Sequence, residues 1–142
     1  MKNKTKVDKF NWLQLKKLGA RFKLSLSSYV ALGNKIIGVD VLERKLLIAE
    51  KIDGLFHPYL IELSKVSVIT TKKIYNSIKA GELKKRRIEE FLQSIFLQLE
   101  LRNGEDTITL PFYERSKDDI HKLHWLESKA RNWQMMLSKM LR

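Results

Sequence analysis

The chain has 142 residues, with 28 Lys plus Arg against 16 Asp plus Glu, a formal net charge of +12, 44% hydrophobic residues and no cysteine. That length suffices for one domain with a substantial core and no covalent staples. The missing cysteines exclude disulfides, Fe–S ligation and a cysteine nucleophile, and fit a reducing compartment. No apolar run approaches the ~20 residues of a membrane span, and the basic start lacks a signal-peptide core, so a cytoplasmic protein is expected.

The predicted elements begin with a helix. From Val7 to Phe22, Val7, Phe10, Trp12, Leu15, Leu18 and Phe22 share about half the circumference at ~100° per residue. Lys9, Lys16, Lys17 and Lys23 fall on the other half. Residues 1–23 are therefore read as a basic amphipathic helix ahead of a main domain of residues 24–142. Strands follow. Residues 24–32 alternate, and residues 35–42 place Ile37, Val39 and Val41 on one face before a turn at Glu43–Arg44. Residues 45–51, 59–63 and 66–76 continue the pattern, the last with Val66, Val68 and Thr70 opposite Ser67, Ile69 and Thr71. Residues 94–102 and 105–113 flank Asn103–Gly104, the preferred type I′ pair. A two-residue loop then sets Leu99 opposite Ile108, Leu97 opposite Leu110 and Ile95 opposite Phe112. The chain ends in a helix predicted from Lys117 to about Leu141, with Ser116 as N-cap. Its apolar stripe is Ile120, Leu123, Leu126, Ala130, Trp133, Leu137 and Leu141.

The charge is not evenly spread. Residues 1–23 hold eight bases and one acid, residues 72–87 hold seven bases and one acid, and the remainder holds 13 bases and 14 acids. Clustered charge of this kind marks a surface aimed at polyanions. The segment 77–87 stands out because Lys84-Lys85-Arg86-Arg87 cannot all be buried, and Gly81 lends the connection flexibility.

Ile36-Ile37-Gly38-Val39-Asp40, Lys45-Leu46-Leu47-Ile48, Leu60-Ile61-Glu62-Leu63-Ser64-Lys65-Val66, the Asn103–Gly104 hairpin and the Trp133-bearing helix together carry a resemblance. Seven antiparallel strands closed by a C-terminal amphipathic helix resembles the pleckstrin-homology-like barrel. The combination is similar to small uncharacterised Bacteroidetes proteins that carry such a barrel after an N-terminal helix. The resemblance implies a mostly β barrel or sandwich capped by the last helix. It brings no catalytic or ligand residues, and the barrel hosts many functions.

Residue chemistry points away from catalysis. Asp118, His121 and His124 at three-residue spacing could be read as metal ligands on a helix, but they drift by about 120° over that span. The adjacent acids Glu89–Glu90, Glu105–Asp106 and Asp118–Asp119 diverge on strand or helix instead of converging on a reacting group. His57 precedes Pro58 with no evident partner, and the scattered glycines form no phosphate loop. The expectation is a binding module without cofactor or metal, engaging either the anionic lipid surface of a membrane's inner face or an acidic protein. Lys72, Lys73, Lys79, Lys84, Lys85, Arg86 and Arg87 would supply the charge, with Lys9, Lys16 and Lys17 in support. Single-stranded nucleic acid is the rival polyanion, but residues 77–87 contain no aromatic for base stacking. Trp125 and Met136, off the apolar stripe of the last helix, suggest a contact with the first helix (through Trp12) or with a second copy of the chain.

Overall fold

The computed structural model describes the backbone of residues 6–141 and the side chains of residues 11–141. Phe10 and Lys9 therefore lie outside the described side chains. The chain divides into two compact units, residues 1–64 and residues 65–142. All seven expected strands form, in two separately hydrogen-bonded antiparallel sheets of four and three, with no hydrogen-bonded closure into a barrel among the described residues.

The first unit holds α1 (Lys6–Arg21), β1 (Ser28–Leu32), β2 (Lys35–Asp40), β3 (Lys45–Ile52) and β4 (Leu55–Glu62), with sheet order β1-β2-β3-β4. Turn chemistry explains the tight connections. Gly33 has φ 60, and Gly33–Asn34 joins Leu32 to its partner Lys35, which fits the glycine-first type II′ turn. Asp53 and Gly54 have φ 51 and 82 between the paired Ile52 and Leu55, which fits a type I′ turn. At the third connection, buried Asp40 accepts from the Glu43 backbone N–H at 2.9 Å and from the Ser25 N–H at 2.8 Å. Strand β2 consequently ends at Asp40, and Val41 and Leu42 are exposed in the turn, where the alternation had placed Val41 on a core face.

Helix α1 packs on one face of this sheet. Leu15 and Leu18 join Leu24, Ile36, Leu47 and Ala49 in a core cluster, and Trp12 stacks on Tyr29 with ring centroids 4.8 Å apart. The close approach requires glycine at position 38. A Cβ there would stand 2.8 Å from Leu15 Cδ2 and 3.0 Å from Leu26 Cδ1. The helix stops at a Schellman motif: Leu24 N–H reaches Gly19 O at 2.9 Å and Lys23 N–H reaches Ala20 O at 3.0 Å. Lys23 sits at φ 61, a conformation that costs an L side chain about 1–2 kcal/mol and glycine almost nothing. Lys23→Gly is expected to raise stability by about 0.5–1 kcal/mol, after the greater chain entropy of glycine is subtracted. A higher urea midpoint at constant slope would register it.

The second unit holds β5 (Val66–Tyr75), β6 (Leu92–Leu101), β7 (Thr107–Glu114) and α2 (Leu123–Ser138), in sheet order β5-β6-β7. A bulge between Val66 and Val68 shifts the alternation predicted for β5, so Val66 and Ile69 are buried while Val68 is exposed. Leu99 faces Ile108 and Leu97 faces Leu110 as expected, but a second bulge sets Ile95 opposite Tyr113 in place of Phe112. The Asn103–Gly104 turn is not type I′. Of the two, only Gly104 has positive φ. The Asn103 side chain accepts from the N–H groups of Glu105 and Asp106 at 2.9 and 3.2 Å, an Asx arrangement that settles the loop locally.

Helix α2 lies against all three strands, burying Leu123, Leu126, Ala130, Trp133 and Leu137. It begins later than Lys117. Asp118 is drawn back to accept from Glu114 N–H at 2.8 Å, and Asp119, not Ser116, caps a 3-10 turn at Ile120–Lys122 by accepting from His121 N–H at 2.9 Å. Ile120 is accordingly exposed. His121 on the 3-10 turn and His124 on α2 no longer share one helix with Asp118, and no group of three potential ligands occurs among the described residues. No described helix is long and apolar enough to cross a membrane.

Candidate functional site

The connection from β5 to β6 carries most of the expected cations. Asn76 N–H donates to Phe91 O at 2.7 Å and closes its base. Within it, Gly81 at φ 84 leads into a 3-10 turn, Glu82–Lys84, and a second turn, Ile88–Phe91, completes the return. Its acids are used locally. Glu82 accepts from Lys79 N–H at 2.8 Å, and Glu90 accepts from Arg87 N–H at 2.8 Å and Arg86 Nε at 3.3 Å. The Arg87 N–H, chiefly, and the Arg86 side chain hold the Glu90 carboxyl below its ordinary range. The Arg115 guanidinium also donates to the Glu90 backbone carbonyl.

This arrangement sorts the cations. Arg86 folds back, paired with Glu90 and 5.0 Å from the Phe91 ring centroid. Lys73 is also engaged, 2.5 Å from Glu127 of α2. Lys72, Lys79, Lys84, Lys85 and Arg87 are exposed and form no ion pair among the described residues. Strand geometry accounts for Lys72 against Lys73, since neighbours point to opposite faces and Lys73 shares the α2 side with Ile69 and Thr71.

Apolar side chains stand among these cations. Ile78, Leu83 and Ile88 of the connection are exposed, and Ile74 and Tyr75 at the end of β5 join them. The charge run marks the lysines and arginines alone. The signal for the aliphatics was present as single apolar residues, Ile78, Leu83 and Ile88, at irregular spacing in a polar segment with no period to bury them.

In the first unit, Lys16 and Lys17 lie on the exposed side of α1, with Lys16 Nζ 5.7 Å from the Trp12 ring centroid. Trp12 and Leu15, the side chains that a membrane-lying helix would insert, are committed to the sheet of their own unit. On α2, Trp125 is 48% exposed beside Lys129, whose Nζ is 5.4 Å from its ring centroid, while Met136 is half-buried and Met135 the more exposed methionine.

Comparison with known proteins finds no matching family model, no matching curated protein and no matching solved structure.

Proposed function

We propose that the protein is a non-enzymatic binding module, PH-like in its element order, that docks peripherally on the anionic inner face of a membrane through residues 76–91. The supporting observation is the mixture on that connection. Exposed Ile78, Leu83 and Ile88 accompany the unpaired Lys79, Lys84, Lys85 and Arg87. Aliphatic side chains enter the boundary between headgroups and acyl chains, and cations meet the lipid phosphates, so the two contributions add at one surface. A nucleic-acid surface would draw on exposed aromatics for stacking, whereas Phe91 of this segment is buried and Tyr75 stands exposed only at its edge.

Co-sedimentation with phosphatidylcholine vesicles, with and without phosphatidylglycerol, tests the reading. Binding is expected only with the anionic lipid. Changing Lys84, Lys85 and Arg87 together to Ser should weaken it roughly 100-fold, at about 1 kcal/mol for each cation near the surface. Arg86→Ser alone should change the charge term least, because Arg86 already has Glu90. Unchanged binding by the triple variant would sink the proposal. Steeply salt-dependent binding to single-stranded RNA with indifference to vesicles would replace it with the nucleic-acid reading.

A further inference from the structure

Another basic feature of residues 65–142 has no part in the loop. Glu127 Oε2 receives Lys73 Nζ at 2.5 Å and Arg131 Nη2 at 2.9 Å, so a strand cation and a helix cation converge on one oxygen. Lys73 first, and Arg131 after it, hold the Glu127 carboxyl below its ordinary range against the opposing effect of burial. Beside the triad lies an open cleft of about 490 Å³, lined by Thr70, Thr71, Lys73, Arg131 and Gln134.

The cleft walls carry two cations with donors to spare. Lys and Arg have no acceptor at all, and one carboxylate oxygen occupies only part of their donor set. The Thr71 hydroxyl donates to Gln134 Oε1, which leaves the amide's N–H groups as donors. No carboxylate and no purely aliphatic side chain lines the space. Lys73 and Arg131 keep donor capacity beyond the one Glu127 oxygen they share, which favours an anionic ligand with several acceptor oxygens. We infer that the cleft between β5 and α2 is a binding site for a phosphate monoester, held between Lys73 and Arg131.

A phosphoryl group presents three terminal oxygens, and the planar guanidinium can meet two of them at once. The cleft is larger than a phosphate ion and falls in the size range of small-molecule sites, which leaves space for the organic part of the ester. Glu127 has two effects here. It holds the cations together before the ligand arrives, and it competes with the ligand for them.

That competition supplies a test with opposite signs. Inorganic phosphate and glycerol 3-phosphate, titrated into the full chain at constant ionic strength, should give saturable amide shifts at Thr70, Thr71 and Gln134 in ¹H–¹⁵N spectra. Arg131→Gln and Lys73→Met should each weaken binding roughly tenfold to 100-fold, the range for a lost charge-assisted hydrogen bond. Glu127→Gln should strengthen it. Arg131 is well exposed, so its variant keeps the test valid even if Lys73→Met fails to fold. Vesicles containing phosphatidic acid form the second arm. A response there that Arg131→Gln abolishes and the Lys84/Lys85/Arg87 triple variant retains identifies a lipid source, whereas a response to the soluble esters alone identifies a metabolite. No saturable shift with any of these probes, or weaker binding in Glu127→Gln, overturns the inference and leaves the triad as a strut between β5 and α2.

Discussion

Leu15→Ala should destabilise the protein by about 2–5 kcal/mol, the range for emptying a fully buried leucine position that collapses only in part. Leu15 has no exposed surface and packs with Leu18, Leu24, Ile36, Leu47 and Ala49. It also sits directly over Gly38, where the absence of a side chain lets the helix come close. The cavity would therefore open at the tightest point of the contact between α1 and its sheet. Urea denaturation measures the total loss, and native-state hydrogen exchange locates it. Protection in α1 should fall well before protection in β2 and β3. A loss below about 1 kcal/mol, with α1 protection unchanged, would mean that the helix is held elsewhere along its length.

The second large effect concerns Asp40, the buried carboxylate at the end of β2. Its two oxygens take the backbone N–H groups of Ser25 and Glu43, so one side chain joins the segment after α1 to the β2–β3 turn. A hydrogen bond to a charged group contributes about 1.5–3 kcal/mol. Both donor residues border on solvent, which places the expected cost of Asp40→Ala at about 3 kcal/mol, the lower end for two such bonds. Asp40→Asn keeps one acceptor and turns an N–H group toward the other donor, so it should rank between wild type and alanine. Chemical denaturation of the three proteins gives the order. Equal stability of Asn and wild type would show that only one of the two bonds matters.

How much of this was legible follows from the kind of signal each feature leaves. Strand alternation and the 3.6-residue stripe of α2 depend on local burial, so every strand and both helices could be placed. The β3–β4 hairpin was harder to see. Asp53–Gly54 was there to be read, but β4, which begins at Leu55, was expected only from Tyr59, after Pro58. Pro58 is tolerated because β4 is the last strand of its sheet, where a missing N–H costs no ladder bond; Pro111 sits likewise in the terminal strand β7. Asn103–Gly104 carried the right register with a different turn, because the Asn103 side chain could satisfy the loop N–H groups without positive φ. In the basic segments, charge was legible and pairing was not. Nothing near Lys73 in sequence announces Glu127, whereas the partner of Arg86, Glu90, lies only four residues away.

The hydrogen bond from Asn76 to Phe91 closes the β5–β6 connection where the ladder begins, Arg86 pairs with Glu90 and lies over Phe91 within it, and Arg115 of the following segment holds the Glu90 carbonyl. Residues 77–85 therefore answer to almost none of the constraints that govern the strands on either side. In evolutionary terms the connection is a cassette. A lineage could lengthen it, shorten it or reverse its electrical sign through a few codon changes without disturbing the ladder that presents it. Selection on recognition could then proceed at a pace independent of selection on folding.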